Sequence, residues 1–268
     1  MPTVVIVGST RGIGLGLARE FLARGCQVMI SGRGQAAVDE AVAQLAAGGG
    51  GDRVAGQPCD VTRREQVQAL WDAARARWGR VDIWINNAGI GHDQAKFWEL
   101  TPERVAAVVD TNILGLMVGC QVAIVGMLAQ GGGYVYNMEG FGSDGRVRAG
   151  MSVYGSTKSA VHYLTKALVE EVKGTPVKIG SLSPGMVLTN LLTDPFKDDP
   201  KGFEQAKKAY NMLADRVETV TPFLVEKVLA NEKSGARIRW LTPGKLLARV
   251  ALAPFRKRNI FRPDDKLG

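Results

Sequence analysis

Tyr154 and Lys158 stand four residues apart in Val153-Tyr154-Gly155-Ser156-Thr157-Lys158, a spacing that sets both side chains on one face of a helix. An ammonium beside a phenol stabilises tyrosinate and draws the phenol below its ordinary value of about 10. The pair therefore reads as a proton donor or acceptor for a carbonyl or alcohol oxygen.

Reducing a carbonyl also requires a hydride, and the N-terminus offers a place to hold its carrier. Gly8-Ser9-Thr10-Arg11-Gly12-Ile13-Gly14 follows the β-branched run Thr3–Val7 and precedes a helical pattern over Ile13–Leu22. Glycines permit a tight turn there and let a pyrophosphate approach backbone N–H groups at a helix N-terminus. By itself a G-x-x-x-G-x-G string is also what a plain turn looks like; the strand before it and the helix after it give it meaning.

An NAD site places an acidic side chain at the end of the second strand to bind the ribose 2′-hydroxyl, but Ile30-Ser31-Gly32-Arg33 offers none. Arg33 suits a 2′-phosphate instead, and Arg11 in the glycine loop reaches towards the same group, so two guanidinium groups can converge on a dianion. The expected cofactor is NADPH/NADP+. Each arginine taken singly also fits a solvated surface residue; their joint placement and the missing carboxylate carry the reading.

The elements that must position these groups alternate along the chain. Strands are expected at Thr3–Val7, Cys26–Ile30, Arg53–Gln57, Val81–Asn86, Gly133–Met138 and Val177–Ser183. Helices are expected between them, including Ala36–Ala46, one running to Trp78, Pro102 to about Ala129, and Ser152–Val172. Thr62 with Glu65 reads as a capping box for the helix ending at Trp78, and the glycines at 48–51 as a flexible loop. Such alternation predicts a single-domain α/β fold, a Rossmann-type doubly wound parallel sheet with helices on both faces, binding its ligand beyond the carboxyl ends of the strands.

Asn86-Asn87-Ala88-Gly89 after the fourth strand, Tyr154 and Lys158 on their helix, and Pro184-Gly185-Met186-Val187-Leu188-Thr189 after the sixth strand complete a set. From about residue 3 to 192 the chain resembles the short-chain dehydrogenase/reductase family. That resemblance implies an NADPH-dependent oxidoreductase in which Tyr154 protonates the developing alkoxide and Lys158 also holds the nicotinamide ribose. It implies an adenine contact from Asp60 and Val61, a wall near the ribose from Asn87, Ala88 and Gly89, and further cofactor contacts from Pro184, Gly185, Val187 and Thr189, with Thr189 on the carboxamide. Asn112, in Asp110-Thr111-Asn112, resembles the asparagine of the family's proton relay. On the residues alone, Asp60 also fits a strand-end turn, Asn112 a satisfied helix amide and Thr189 a helix N-cap.

The pattern breaks after the fifth strand. The family carries a serine three residues after an asparagine there, but this chain reads Asn137-Met138-Glu139-Gly140-Phe141-Gly142-Ser143. Gly140 stands at the serine's place, so the substrate oxygen needs another donor, for which Ser143 is the expected replacement. The Asn-Met-Glu-Gly segment, the Ser183–Thr189 stretch and Ala236-Arg237-Ile238-Arg239-Trp240-Leu241-Thr242-Pro243 together resemble the chlorophyll(ide) b reductase branch, which implies reduction of the 7-formyl group of a chlorophyll-type macrocycle to hydroxymethyl. A reductase of another bulky aldehyde or ketone, and a non-catalytic dinucleotide sensor or scaffold, are the alternatives; the intact Tyr154, Lys158 and Asn112 argue against the last.

The remaining composition narrows the class. The 268 residues include three widely separated cysteines and two histidines, so no disulfide framework or metal site is expected. No secretory signal or membrane-length apolar run is recognised, which reads as an intracellular, soluble protein, cytoplasmic or of the plastid stroma. The formal charge of +8 favours anionic partners, but the basic residues are spread along the chain and no nucleic-acid module is recognised. Residues 191–230 are expected to cover the substrate as a lid, and a helical pair covering the core fits the same stretch equally well. The basic tail 242–268 suits peripheral membrane contact or a subunit interface, and the family resemblance implies a homodimer or homotetramer paired through two long helices.

Overall fold

The computed structural model describes residues 1–92, 94–196, 199–253 and 258–262. In chain order its strands are β1 (Thr3–Val7), β2 (Gln27–Gly32), β3 (Val54–Pro58), β4 (Ile83–Asn86), β5 (Gly133–Met138), β6 (Val177–Ser183), the short β7 (Val187–Leu188) and β8 (Asp215–Arg216), and β9 (Ala236–Arg239). Seven of them form one parallel sheet in the order β3-β2-β1-β4-β5-β6-β9. This is the expected single-domain Rossmann-type sheet. Its order reverses between β1 and β4, and a crevice opens beyond the carboxyl ends of those two strands.

Helices cover both faces: α1 (Gly12–Ala23), α2 (Gln35–Leu45), α3 (Arg64–Trp78), α4 (Pro102–Val109), α5 (Gly115–Gln130), α6 (Ser152–Glu171), α7 (Asn190–Thr193), α8 (Pro200–Leu213), α9 (Val217–Leu229) and α10 (Pro243–Leu252). Because strand side chains alternate, β1 feeds two cores at once. Val4 and Ile6 pack with Leu17 and Phe21 of α1 and Val220 and Leu224 of α9. Val5 and Val7 pack with Leu70 and Trp71 of α3 and Cys120 and Met127 of α5. Each fully buried aliphatic or aromatic side chain contributes about 1.5–3 kcal/mol, so both layers are needed to hold the crevice between them.

Several local expectations change. Thr62 does not cap α3: Arg63 is the N-cap residue and makes no side-chain cap, while the Thr62 hydroxyl donates to Asp60 Oδ1 at 2.8 Å. The glycines at 48–51 continue α2 as a wide turn into a 3-10 turn, tied down where Arg53 donates to the Gly49 carbonyl at 2.7 Å. The long helix runs unbroken from Pro102 to Gln130 and is long and apolar enough to cross a membrane; here Leu116, Cys120, Ala123 and Met127 pack onto the sheet. Of the expected lid, α9 is a structural layer, with Val220, Leu224 and Val225 fully buried. Among the described residues of that span, α7 and α8 lie outside this layer.

Candidate active site

The glycine loop is shaped from within. Gly8 has φ +70°, and a Cβ there would lie 2.8 Å from Ala88 Cα, so the loop after β1 and the loop after β4 touch only because residue 8 lacks a side chain. A Cβ on Gly14 would lie 2.4 Å from the Gly8 carbonyl and 2.6 Å from Asn87 Nδ2. These close approaches draw the loop tight against the N-terminus of α1, where free backbone N–H groups are donors of the kind that a pyrophosphate requires. Asn87 donates to the Gly8 carbonyl at 2.6 Å and holds the two loops together, and Gly12 faces Thr189 across the crevice.

Ser9 takes a different part from the expected cofactor contact. It is fully buried, its hydroxyl donates to the Ile6 carbonyl at 2.6 Å and accepts from Ser31 N–H, and its own N–H donates to the Ser31 carbonyl. Both polar groups are committed to fastening the loop to β2. A Cβ on Gly32 would meet Thr10, so the glycine loop and the end of β2 touch there, and the residue following each, Arg11 and Arg33, is exposed.

Asp60 ends β3 as a turn residue. Burial pushes its carboxyl up, but hydrogen bonds from the Thr62 N–H and hydroxyl, with Arg33 and Arg63 nearby, more than offset this and hold it below the usual range. Val61 packs against Gly115 of α5. Pro184 is buried, Gly185 turns at φ +74° against Leu241, and Val187 pairs with Asp215 in the β7–β8 ladder.

Beside the carboxyl end of β5, α6 carries Tyr154 and Lys158 on its buried face. Asn112 lies in a wide helical turn, Asp110–Leu114, between α4 and α5. Its carbonyl oxygen accepts from Ile90 N–H at 2.8 Å, and its amide donates to the Ile90 carbonyl at 2.9 Å and to Thr157 Oγ1 at 3.1 Å. Thr157 in turn donates to the Tyr154 carbonyl at 2.7 Å. The satisfied-amide reading of Asn112 therefore describes its side chain: it clamps the loop after β4 to the turn of α6 that carries the tyrosine.

The tyrosine itself departs from the simple expectation. Burial pushes the Tyr154 phenol up to about 12, and Lys158 aims its Nζ at the Met138 carbonyl, 3.1 Å away, with the ammonium 5.8 Å from the Tyr154 ring centre. Burial also brings Lys158 down to about 8, against the opposing pull of Glu139. The phenol thus stays protonated through neutral pH, which is the state a proton donor needs. Among the described residues no side chain hydrogen-bonds its hydroxyl, and a Cβ on Gly140 would lie 2.4 Å from it. The tyrosine oxygen fills the space left by the absent serine.

Ser143 does not take that serine's role. Its hydroxyl donates to the Lys158 carbonyl at 3.0 Å and accepts from Gly140 N–H at 3.2 Å, so its one proton points away from the crevice. It ties the loop after β5 to α6.

One cluster was not legible in the sequence. The Glu139 side chain is completely buried, with Oε2 held by Arg237 of β9 at 2.7 and 2.8 Å and Oε1 3.0 Å from His162 Nδ1 on α6. An unpaired carboxylate at that depth would be destabilising by several kcal/mol; two hydrogen bonds and the ion pair with Arg237 offset this. The spacing of Tyr154, Lys158 and His162 at four-residue steps was the available signal. Its partner Arg237 lies 98 positions from Glu139 in sequence.

Above the crevice, Phe203 and Tyr210 of α8 pack with Phe196, Leu192, Ile260 and Phe261. Buried Asp215 fixes this roof: Trp240 Nε1 donates to it at 2.7 Å, and Arg249 and Arg258 pair with it at 2.7 and 2.6 Å. Burial pushes the Asp215 carboxyl up, but these partners hold it below the usual range. Two basic residues of the tail are thus turned inward; Arg256 and Lys257 lie outside the described residues. Phe97 and Trp98, in the loop after β4, stay exposed.

A family model described as short chain dehydrogenase matches residues 2–200. The chain is 40% identical to the chlorophyll(ide) b reductase NOL, chloroplastic, of Arabidopsis thaliana over 96% of this chain and 76% of that protein. It is 38% identical to the protein of the same name from Oryza sativa subsp. japonica, over 98% and 78%. A closed form of serine dehydrogenase complexed with NADP+ superimposes with a TM-score of 0.77 at 27% identity, covering 88% of this chain and 93% of that one.

Proposed function

The chain belongs to the short chain dehydrogenase family and is an oxidoreductase of carbonyl and hydroxyl groups; from that premise we propose that it is an NADPH-dependent reductase of the formyl group of a chlorophyll-type macrocycle. The observation that carries the reading is the similarity to chlorophyll(ide) b reductases over nearly the whole chain. The exposed rings of Phe97 and Trp98 support it, because flat aromatic surfaces suit a flat ligand.

The chain's own groups divide the work. The glycine loop holds the pyrophosphate, Arg33 and Arg11 the 2′-phosphate, Asp60 and Val61 the adenine end, and Thr189 the carboxamide. When bound, the reduced nicotinamide supplies the hydride. Tyr154 hydrogen-bonds the carbonyl oxygen through Oη and gives that oxygen its proton as negative charge develops. Lys158 holds the ribose hydroxyls and, as a cation, stabilises the tyrosinate left behind. Residues of α7 and α8 exclude water over the reacting carbon.

The deciding assay is NADPH oxidation with chlorophyllide b beside a panel of simple aldehydes. Turnover of chlorophyllide b to the hydroxymethyl product is expected; turnover of simple aldehydes alone would replace this reading with a reductase of other carbonyls. For the cofactor, Arg33→Asp is expected to weaken NADPH binding at least tenfold, since a charge-assisted hydrogen bond contributes about 1.5–3 kcal/mol, with little change for NADH. Calorimetric titration of both cofactors checks this, and equal losses would refute the arginine reading.

The exposed Leu114, Met117, Val125 and Leu128 of α4–α5 and Tyr163 of α6 form an apolar face suited to pairing of two copies, and Leu247 and Val250 of α10, also exposed, suit contact with a membrane surface.

A further inference from the structure

We propose that Glu139 is a positioning residue: its buried carboxylate is the counter-charge to the Lys158 ammonium beside Tyr154, with Arg237 and His162 holding that carboxylate in place. The inference rests on the proposed catalytic use of Lys158 and goes beyond it, because it adds three residues from β5, β9 and α6 to the site.

Three observations meet at this point. Lys158 donates to the carbonyl of Met138, the residue directly before Glu139. The Glu139 N–H is pinned to the Leu182 carbonyl at 2.8 Å, and its oxygens to Arg237 and His162, so the carboxylate cannot swing away. Lys158 and His162 are one helical turn apart on α6, and they reach neighbouring residues of one loop, Lys158 the Met138 carbonyl and His162 the Glu139 carboxylate.

Among the described residues, the charged and titratable groups around Lys158 are Tyr154 and His162 on its own helix, Glu139 at the exit of β5, and Arg237 behind Glu139 on β9. Asn112, from the turn before α5, contributes a neutral amide. Burial favours the neutral amine, and Glu139 supplies the opposing negative charge. The sign follows: removing that charge lets Lys158 lose its proton at lower pH, whereas removing Arg237 strengthens the field of Glu139 and holds the proton to higher pH.

The test is an NMR titration of the Lys158 side chain in protein carrying isotope-labelled lysine, its signal identified by its loss in Lys158→Met. In Glu139→Gln the midpoint is expected to move down by about one pH unit or more, the range of a neighbouring opposite charge. In Arg237→Gln it is expected to move up, so the inference stays testable if one variant does not fold. A midpoint unmoved in a folded variant, or moved the same way in both, overturns it and leaves Glu139 as a structural tie between β9 and α6. No substrate enters this measurement. A protein inert towards every carbonyl tested but with Lys158 shifting as stated would therefore sink the proposed reduction and not the counter-charge, and active enzyme with an unmoved midpoint would do the reverse.

Discussion

Tyr154→Phe is expected to lower carbonyl reduction by about 10²–10⁴-fold, the contribution of a positioned general acid, with cofactor binding and thermal stability nearly unchanged. The change removes one oxygen and keeps the ring. That ring is buried against α6 and the loop after β5, and among the described residues its hydroxyl holds no side-chain partner that would be left unsatisfied. A loss confined to kcat would therefore report the missing proton and not a collapsed site. Steady-state NADPH oxidation together with a melting curve checks both halves, and undiminished turnover would remove Tyr154 from the mechanism.

Gly140→Ser is expected to reduce turnover by about tenfold to a hundredfold, although it restores the residue found at this place in the wider family. The new Cβ would stand 2.4 Å from the tyrosine oxygen and 3.1–3.2 Å from carbons of Lys158. The phenol is the atom group that must move, and a displacement of about 1 Å at a reacting group can cost 10²-fold. Gly140→Ala carries the same Cβ without the hydroxyl and is expected to behave alike. If the serine variant instead gains activity on simple carbonyls, the tyrosine does not occupy that space in the working enzyme, and a missing hydroxyl alone explains the glycine.

Both expectations depend on how the site is divided between local and long-range features. The alternation of apolar runs and helical patterns was enough to place six strands, because a buried parallel strand must be apolar along its length and its crossover helix amphipathic. The seventh, β9, reads Ala-Arg-Ile-Arg, an alternating strand at the sheet edge whose arginines obscure it. The capping box at Thr62 misled for a local reason: Asp60 draws Thr62 into a turn of its own, accepting from both its N–H and its hydroxyl, and the helix starts one residue later, with Arg63 as N-cap.

By itself the sequence determined the class of chemistry: the glycine loop, the tyrosine and lysine one helical turn apart and the motifs at successive strand ends are short-range patterns, and short-range geometry is what spacing encodes. Tertiary structure alone decided how those groups are tuned. Whether a serine hydroxyl points into the crevice or is tied to a backbone carbonyl depends on what folding brings beside it, as Ser9 and Ser143 illustrate. Whether burial or a neighbouring charge governs the phenol and the ammonium depends on depth, which no spacing records. The pairing of Glu139 with Arg237, 98 residues away, exists only because parallel strands β5, β6 and β9 stack side by side, and it is there that a carboxylate in an unusual loop becomes part of the catalytic site.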